Sequence, residues 1–221
     1  MSLKNEQIKN KKKKGFFKYF LYDFVKITGA IPVFLWYRLK TYYENKNAKK
    51  KVKGGVLVCS NHISFQDPII VSAKFWYRRL NMVATKYLFD TKLKNFFFKN
   101  TLCIKIDKEN ISIDSYKEIV SRLKDNKAVL IFPEGHIVKN EDNSIDAFKS
   151  GVILMAMQAN VPIVPVHIIK REKWWQRQKI VVGEPIVLPE GRMNLEEIQK
   201  YCELLRKKEM ELAQKYKKES K

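Results

Sequence analysis

The sequence is short of the residues that punctuate or staple a chain. Only eight glycines and seven prolines occur in 221 residues, which excludes collagen-like repeats and low-complexity tracts. The three cysteines, Cys59, Cys103 and Cys202, are odd in number and show no paired spacing. That excludes a disulfide framework and points to a reducing compartment. No glycine-rich loop matches a nucleotide-binding fingerprint. The three histidines, His62, His136 and His167, lack the helical spacing of metal ligands, so no metal and no cofactor is expected. Long apolar runs are missing as well. Lys18, Asp23 and Lys26 interrupt the aromatic N-terminal stretch, against a signal peptide. Its longest uncharged run, Ile27 to Tyr37, has 11 residues, where a spanning helix needs roughly 20.

Acidic side chains are scarce: 23 Asp and Glu stand against 44 Lys and Arg, a net charge of +21. Such a balance fits an anionic partner, whether nucleic acid, anionic lipid or a phosphorylated substrate. Hydrophobic residues at 45% supply one core and exclude wholesale disorder. Residues 1–53 carry 15 basic and 3 acidic side chains, more than half of the excess. Lys11 to Lys14 form one basic run, and Lys49, Lys50, Lys51 and Lys53 another. Between them, Phe16 to Tyr43 holds 11 of the chain's 27 aromatic residues. Rings and basic side chains together suit the headgroup layer of a membrane. The organisation expected is a basic tail at 1–14, amphipathic membrane-interacting helices at 15–53 and a catalytic domain at 54–221. Gly29 and Pro32 are expected to break the membrane segment into two helices. An amphipathic helix packed on the domain is the plainer alternative.

From residue 55 onward strands and helices alternate. Val56 to Cys59 reads as a buried strand. Asp67-Pro68 opens a helix running to about Tyr77, with Asp67 as N-cap and proline at the first turn. Met82 to Ala84 reads as a strand, Lys86 to Phe98 as a helix and Leu102 to Ile106 as a strand. Ser112 to Leu123 repeats apolar residues with a 3.6 period. Ala128 to Phe132 is a strand, Gly151 to Gln158 a helix and Ile163 to Ile168 a strand. Ile180 to Val182 reads as an edge strand and Leu195 to about Lys217 as a charged closing helix. The fold class is α/β: a mixed, mostly parallel sheet covered by helices, with an N-terminal amphipathic two-helix membrane-docking motif.

Two strand ends carry chemistry. After Cys59 comes Ser60-Asn61-His62-Ile63-Ser64-Phe65-Gln66-Asp67. Within one helix His62 and Asp67 would lie about 140° apart; across a strand-to-helix turn they can meet. Asp67 then holds one ring nitrogen of His62 and leaves the other as a base, the logic of a triad whose nucleophile is a substrate hydroxyl. The alternatives are a plain helix cap and a solvated loop histidine. The second end is Phe132-Pro133-Glu134-Gly135, which places a carboxylate at the rim where open α/β sheets bind ligands, or is simply a turn. A third reading makes Cys59 a thiol nucleophile, although on a buried strand it fits a small core residue.

The two segments together, with Val161-Pro162-Ile163-Val164-Pro165-Val166 after them, resemble the glycerophospholipid acyltransferase family, and within it the bacterial 1-acylglycerol-3-phosphate acyltransferases. The resemblance covers about residues 54 to 190. It implies a catalytic pair, His62 and Asp67, and substrate binding by Asn61, Lys86, Lys108, Pro133, Glu134, Gly135 and Lys149. The implied reaction moves a fatty acyl group from acyl carrier protein or coenzyme A thioester to the 2-hydroxyl of 1-acyl-glycerol-3-phosphate. Phosphatidic acid is the product. It also implies two N-terminal helices docked into one leaflet, hence a peripheral or monotopic enzyme on the cytoplasmic face of the cell membrane, with an anionic membrane surface as partner. Three positions depart from the family. His136 and Ile137 stand where relatives carry Thr-Arg after the glycine, and Lys108 replaces an Arg. Lysine loses the bidentate fork and Ile137 carries no charge, so another lysophospholipid or a glycolipid remains an alternative acceptor. Lys86, Lys105, Lys108, Lys139, Lys149 and His136 are candidates to hold the phosphate. A basic protein that binds nucleic acid or anionic membrane without catalysis is the rival class. No nucleic-acid motif supports the former, so no nucleic-acid partner is expected.

Overall fold

Seven strands form one sheet in this computed structural model, which describes residues 19–107, 112–137 and 150–219, with side chains to 215. The 1–14 tail, Lys108, Lys139 and Lys149 lie outside the described residues. Continuous apolar runs become the central strands. β2 (Val56–Ser60) and β5 (Ala128–Ile131) are buried at every position, and β6 (Ile163–Ile169) at all but its last. With β1 (Lys40–Tyr43), β3 (Leu80–Thr85), β4 (Ile104–Ile106) and β7 (Lys179–Val182) the order is β1-β7-β6-β2-β5-β3-β4. Strands β2 to β6 are mutually parallel; β7 runs antiparallel to β6 and β1 parallel to β7. One edge of the sheet therefore gathers the carboxyl ends of five strands and the amino ends of β1 and β7. The sheet is mixed and mostly parallel, as expected.

Helices cover both faces. One face is packed by α4 (Ile113–Lys124), α5 (Gly151–Ala159) and α6 (Leu195–Glu219), through Ile119, Leu123, Ile153, Met155 and Leu205. The other carries α1 (Phe20–Tyr37) and α2 (Asp67–Lys74), through Tyr37, Ile70 and Val71. Gly55 shows how closely the layers approach. A Cβ there would stand 2.2 Å from the Leu123 carbonyl oxygen, so only glycine lets β2 enter the sheet beside α4.

Several expectations change. The N-terminal segment holds one continuous helix among the described residues, not two: α1 runs through Gly29 and contains Pro32. Packing overrides the local break. The Tyr22 hydroxyl oxygen accepts from the Leu80 N–H at 2.9 Å. Asp23 pairs with Arg79, and Lys26 donates to the Trp76 carbonyl at 2.6 Å. Residues 40–43, expected in the membrane segment, form β1 instead, where Thr41, Tyr42 and Tyr43 suit a strand. β1 is the outer strand and β7 lies inside it, so Ile180 to Val182 is not at the edge. The helix expected from Lys86 to Phe98 is split. A 3₁₀ turn at Lys86–Phe89 ends at Asp90, and Thr91 caps α3 (Lys92–Asn100) by accepting from the Lys94 N–H.

Candidate active site

The turn after β2 is built around one carboxylate. Asp67 is fully buried. Its Oδ2 accepts from the backbone N–H groups of Ile63 and Ser64, each at 2.7 Å, and lies 2.9 Å from His62 Nδ1. Asp67 occupies the first turn of α2, and Gln66 precedes it as the cap residue with no side-chain capping bond. The expected N-cap role is therefore replaced by a tighter one: Asp67 folds back and ties residues 62 to 64 to the helix start. With Nδ1–H donated to Asp67, the lone pair of the His62 ring resides on Nε2. The ring lies face to face on Phe132, with centroids 4.1 Å apart and planes 19° apart. A carboxylate and an aromatic plane thus fix both the tautomer and the tilt of the imidazole.

Strand pairing brings the second segment alongside, because β2 and β5 are parallel neighbours with Cys59 opposite Ile131. Glu134 is nearly buried and its Oε2 accepts from the His62 N–H at 3.2 Å. Gly135 sits at φ 75°, which favours glycine, and its N–H closes the turn onto the Phe132 carbonyl. Glu134 and Gly135 join the two strand ends, and Pro133 is buried beside them. Asn61 is buried between these strand ends and the next strand. Both ends of its amide are spent on the Ile168 backbone of β6, at 3.0 and 2.7 Å, so it fastens the turn to the sheet.

Lys86 stands at the carboxyl end of β3, two strand positions from β2, or about 10 Å away. It donates to Asp107 Oδ2 at 2.8 Å, across the ends of β3 and β4. His136 is exposed, and its Nδ1 lies 3.0 Å from the Glu134 carbonyl oxygen. Cys59 is enclosed in β2, and burial pushes its thiol well above the ordinary range. A neutral, enclosed thiol is a poor nucleophile, so the oriented imidazole is the group here equipped to remove a proton.

Three features of the site were not read from the sequence. Phe132 stacks on His62. Phe65, within the turn itself, is 88% exposed. Glu209 of α6 is fully buried, with no hydrogen-bond partner on either oxygen among the described residues. Burial first, and the Glu134 carboxylate second, push its carboxyl well up. Only the period of Cys202, Leu205 and Leu212 on α6 marks position 209 as inward.

The family model described as Acyltransferase matches residues 40–169, which contain both turns. The chain belongs to the acyltransferase family. A probable 1-acyl-sn-glycerol-3-phosphate acyltransferase of Mycoplasma pneumoniae is 32% identical over 66% of this chain and 56% of its own. The 1-acyl-sn-glycerol-3-phosphate acyltransferase of Bacillus subtilis is 27% identical over 72% of this chain and 79% of its own. The chain thus spans little more than half of the Mycoplasma relative. Among solved structures, the 1-acyl-sn-glycerophosphate acyltransferase PlsC of Thermotoga maritima superimposes with a TM-score of 0.59 at 21% identity, covering 83% of this acyltransferase and 76% of that chain. The likeness is one of fold. The match begins at Lys40, the first residue of β1, so the acyltransferase sheet takes in the strand that follows α1.

Proposed function

We propose that this chain transfers a fatty acyl group from an acyl thioester to the 2-hydroxyl of 1-acyl-glycerol-3-phosphate, giving phosphatidic acid. The observation that carries the reading is the His62–Asp67 pair at the carboxyl edge of the sheet. His62 Nε2 takes the proton of the acceptor hydroxyl as its oxygen forms a bond to the thioester carbonyl carbon. Asp67 stabilises the imidazolium that results. The tetrahedral intermediate collapses, the carbon–sulfur bond breaks, and His62 returns the proton to the leaving thiolate. Positioned base catalysis of this kind contributes about 10²–10⁴-fold. The donor is acyl carrier protein or coenzyme A thioester, and the reaction calls on no metal or cofactor. The names of the relatives support the acceptor. Ile137, uncharged after the Pro-Glu-Gly turn, favours a second reading with a different lysophospholipid or glycolipid headgroup.

The working surface in this reading is an anionic membrane, met from the cytoplasmic face. α1 is long and apolar enough to cross a membrane by length and composition. Yet Tyr22, Asp23 and Lys26 bind it to residues 76–80, and its C-terminal Tyr37 is buried on the sheet. Its outer face presents Phe20, Phe24, Ile27, Ile31 and Leu35, a stripe at helical spacing. A helix laid along the domain with one apolar face outward suits the interface rather than a crossing.

The test is an acyl-transfer assay with acyl carrier protein and coenzyme A donors against a panel of lysophospholipids in anionic vesicles. Phosphatidic acid formed by the wild type and lost in a folded His62→Ala protein is the expected result. Transfer only to another acceptor overturns the acceptor, and a folded His62→Ala protein of near-normal rate overturns the mechanism.

A further inference from the structure

The loop between β6 and β7 holds a cluster that the catalytic reading does not use. Residues 170–177 contain Lys170, Arg171, Lys173 and Arg177 against one acid, Glu172, and between them Trp174 and Trp175. The two indoles are 66% and 57% exposed. They are nonetheless placed, not loose. Trp174 stacks on Trp36 at the end of α1, with centroids 5.8 Å apart, and Trp175 meets Trp174 edge-on at 5.7 Å. Arg171 donates to the Trp174 carbonyl and sets its guanidinium over the Tyr37 ring. Arg177 donates to the Arg38 carbonyl at 2.9 Å, beside the negative end of the α1 dipole. Built contacts thus hold two large apolar rings out in solvent, ringed by positive charge.

We propose that this loop is a second membrane anchor, which inserts Trp174 and Trp175 among anionic phospholipid headgroups. The proposal rests on the membrane reading above and extends it to a segment about 130 residues distant in sequence from α1. Three observations single out lipid. The charge is complementary to an anionic leaflet. Indoles combine an apolar body with one N–H donor, which suits the headgroup layer. The rings also continue the Leu35 and Trp36 end of the α1 stripe through the Trp36–Trp174 stack, making one surface. Topology gives the anchor its use. β6 is parallel to β2, so the loop leaves the sheet at the edge where His62 sits, together with the exposed Phe65. Seating the loop in a bilayer turns that edge towards the leaflet that holds a lysophospholipid acceptor.

The experiment uses the full chain with vesicles of phosphatidylcholine alone or with one-quarter phosphatidylglycerol. A variant with Trp175 as its sole tryptophan (Trp36→Phe, Trp76→Phe, Trp174→Phe) is titrated with vesicles carrying brominated acyl chains. Quenching of Trp175 on the anionic vesicles is expected. A separate Lys170→Gln, Lys173→Gln protein alters two exposed side chains and keeps the indole stack. Its partition onto anionic vesicles should fall roughly 25-fold, about fivefold for each charge removed. If the wild type binds neither vesicle, the membrane reading itself fails and takes this proposal with it. If the wild type binds anionic vesicles while Trp175 stays unquenched and the double variant binds equally well, α1 alone anchors the protein and only the loop proposal is overturned. If the double variant keeps vesicle binding but loses transfer from acyl carrier protein, the loop serves an acidic protein instead, which also overturns it.

Discussion

Asp67 and Glu209 are both completely buried carboxyl groups, and they are treated in opposite ways. Asp67 gathers three donors on one oxygen, all from the six residues that lead up to it. Glu209 comes from the far end of the chain and has no hydrogen-bond partner on either oxygen among the described residues. A local turn supplies the donors to Asp67 Oδ2, while its Oδ1 has none among the described residues. Glu209 sits on the inward stripe of α6 with Cys202, Leu205 and Leu212, carried in by the apolar packing of its neighbours. Burial first, and the nearby Glu134 carboxylate second, push its carboxyl well above the ordinary range. A short motif can therefore bring its own donors, whereas a long helix that closes a core can carry in an acid whose charged form burial disfavours.

The largest effect should come from disturbing the compensated member. Asp67→Asn keeps the size of the side chain but removes the negative charge that orients and stabilises His62. Acyl transfer should fall by about 10²–10⁴-fold with the fold retained, measured by initial rates beside circular dichroism. Asp67→Ala should add a stability loss of about 1–3 kcal/mol, because the Ile63 and Ser64 N–H groups lose their acceptor. Equal activity in Asp67→Asn and wild type would erase the contrast.

Glu209 should respond with the opposite sign. Glu209→Leu exchanges an unpartnered carboxyl for an apolar side chain and should raise stability by about 1–3 kcal/mol in urea denaturation. The pH dependence sharpens this. The carboxyl is raised in the folded state, so the folded protein keeps a proton that the unfolded chain releases above about pH 4.3. Stability contributed below that pH is lost as pH rises through the raised folded value. Glu209→Gln should remove this decline, so that the stability of the variant falls less steeply than that of the wild type between pH 5 and pH 8. A wild-type slope left unchanged by the substitution would show that Glu209 is not the group responsible. Glu134→Ala is a related probe, since it strands the His62 N–H and should cost about 1–3 kcal/mol.

The same contrast explains what could be read from the sequence. The His62–Asp67 relation lies within one turn, so spacing alone allowed its meeting across a strand end, beside the alternatives of a plain helix cap and a loop histidine. The buried strands β2, β5 and β6 were legible because apolar runs on a parallel sheet are continuous. The contacts that seat α1 on the domain, to Leu80, Arg79 and Trp76, were not legible because they lie more than 40 residues away. The bonds of the Asn61 amide to Ile168 of β6 were not legible, because that partner lies more than 100 residues away. The 40–43 strand hid inside an aromatic segment, since its partner β7 lies near the other end of the chain. Glu209 was invisible for the same reason: nothing near it in sequence announces Glu134.

Between the two extremes stands the Lys86–Asp107 pair, with side chains 36% and 31% exposed. Water and salt screen such a pair, so its net contribution to stability is about 0–1 kcal/mol. Lys86→Met, which keeps an apolar stem of similar length, should therefore move the urea midpoint only slightly. The kinetics separate two uses of the lysine. If Lys86 meets the acceptor phosphate, the substitution raises KM for 1-acyl-glycerol-3-phosphate and leaves KM for the thioester unchanged, and the effect weakens with added salt. If the lysine serves only to bridge the ends of β3 and β4, both constants stay at the wild-type value. An exposed charge pair is cheap to dissolve and remake, which lets a phosphate exchange for Asp107; the enclosed Asp67 has no such freedom, and that is what suits it to hold a histidine still.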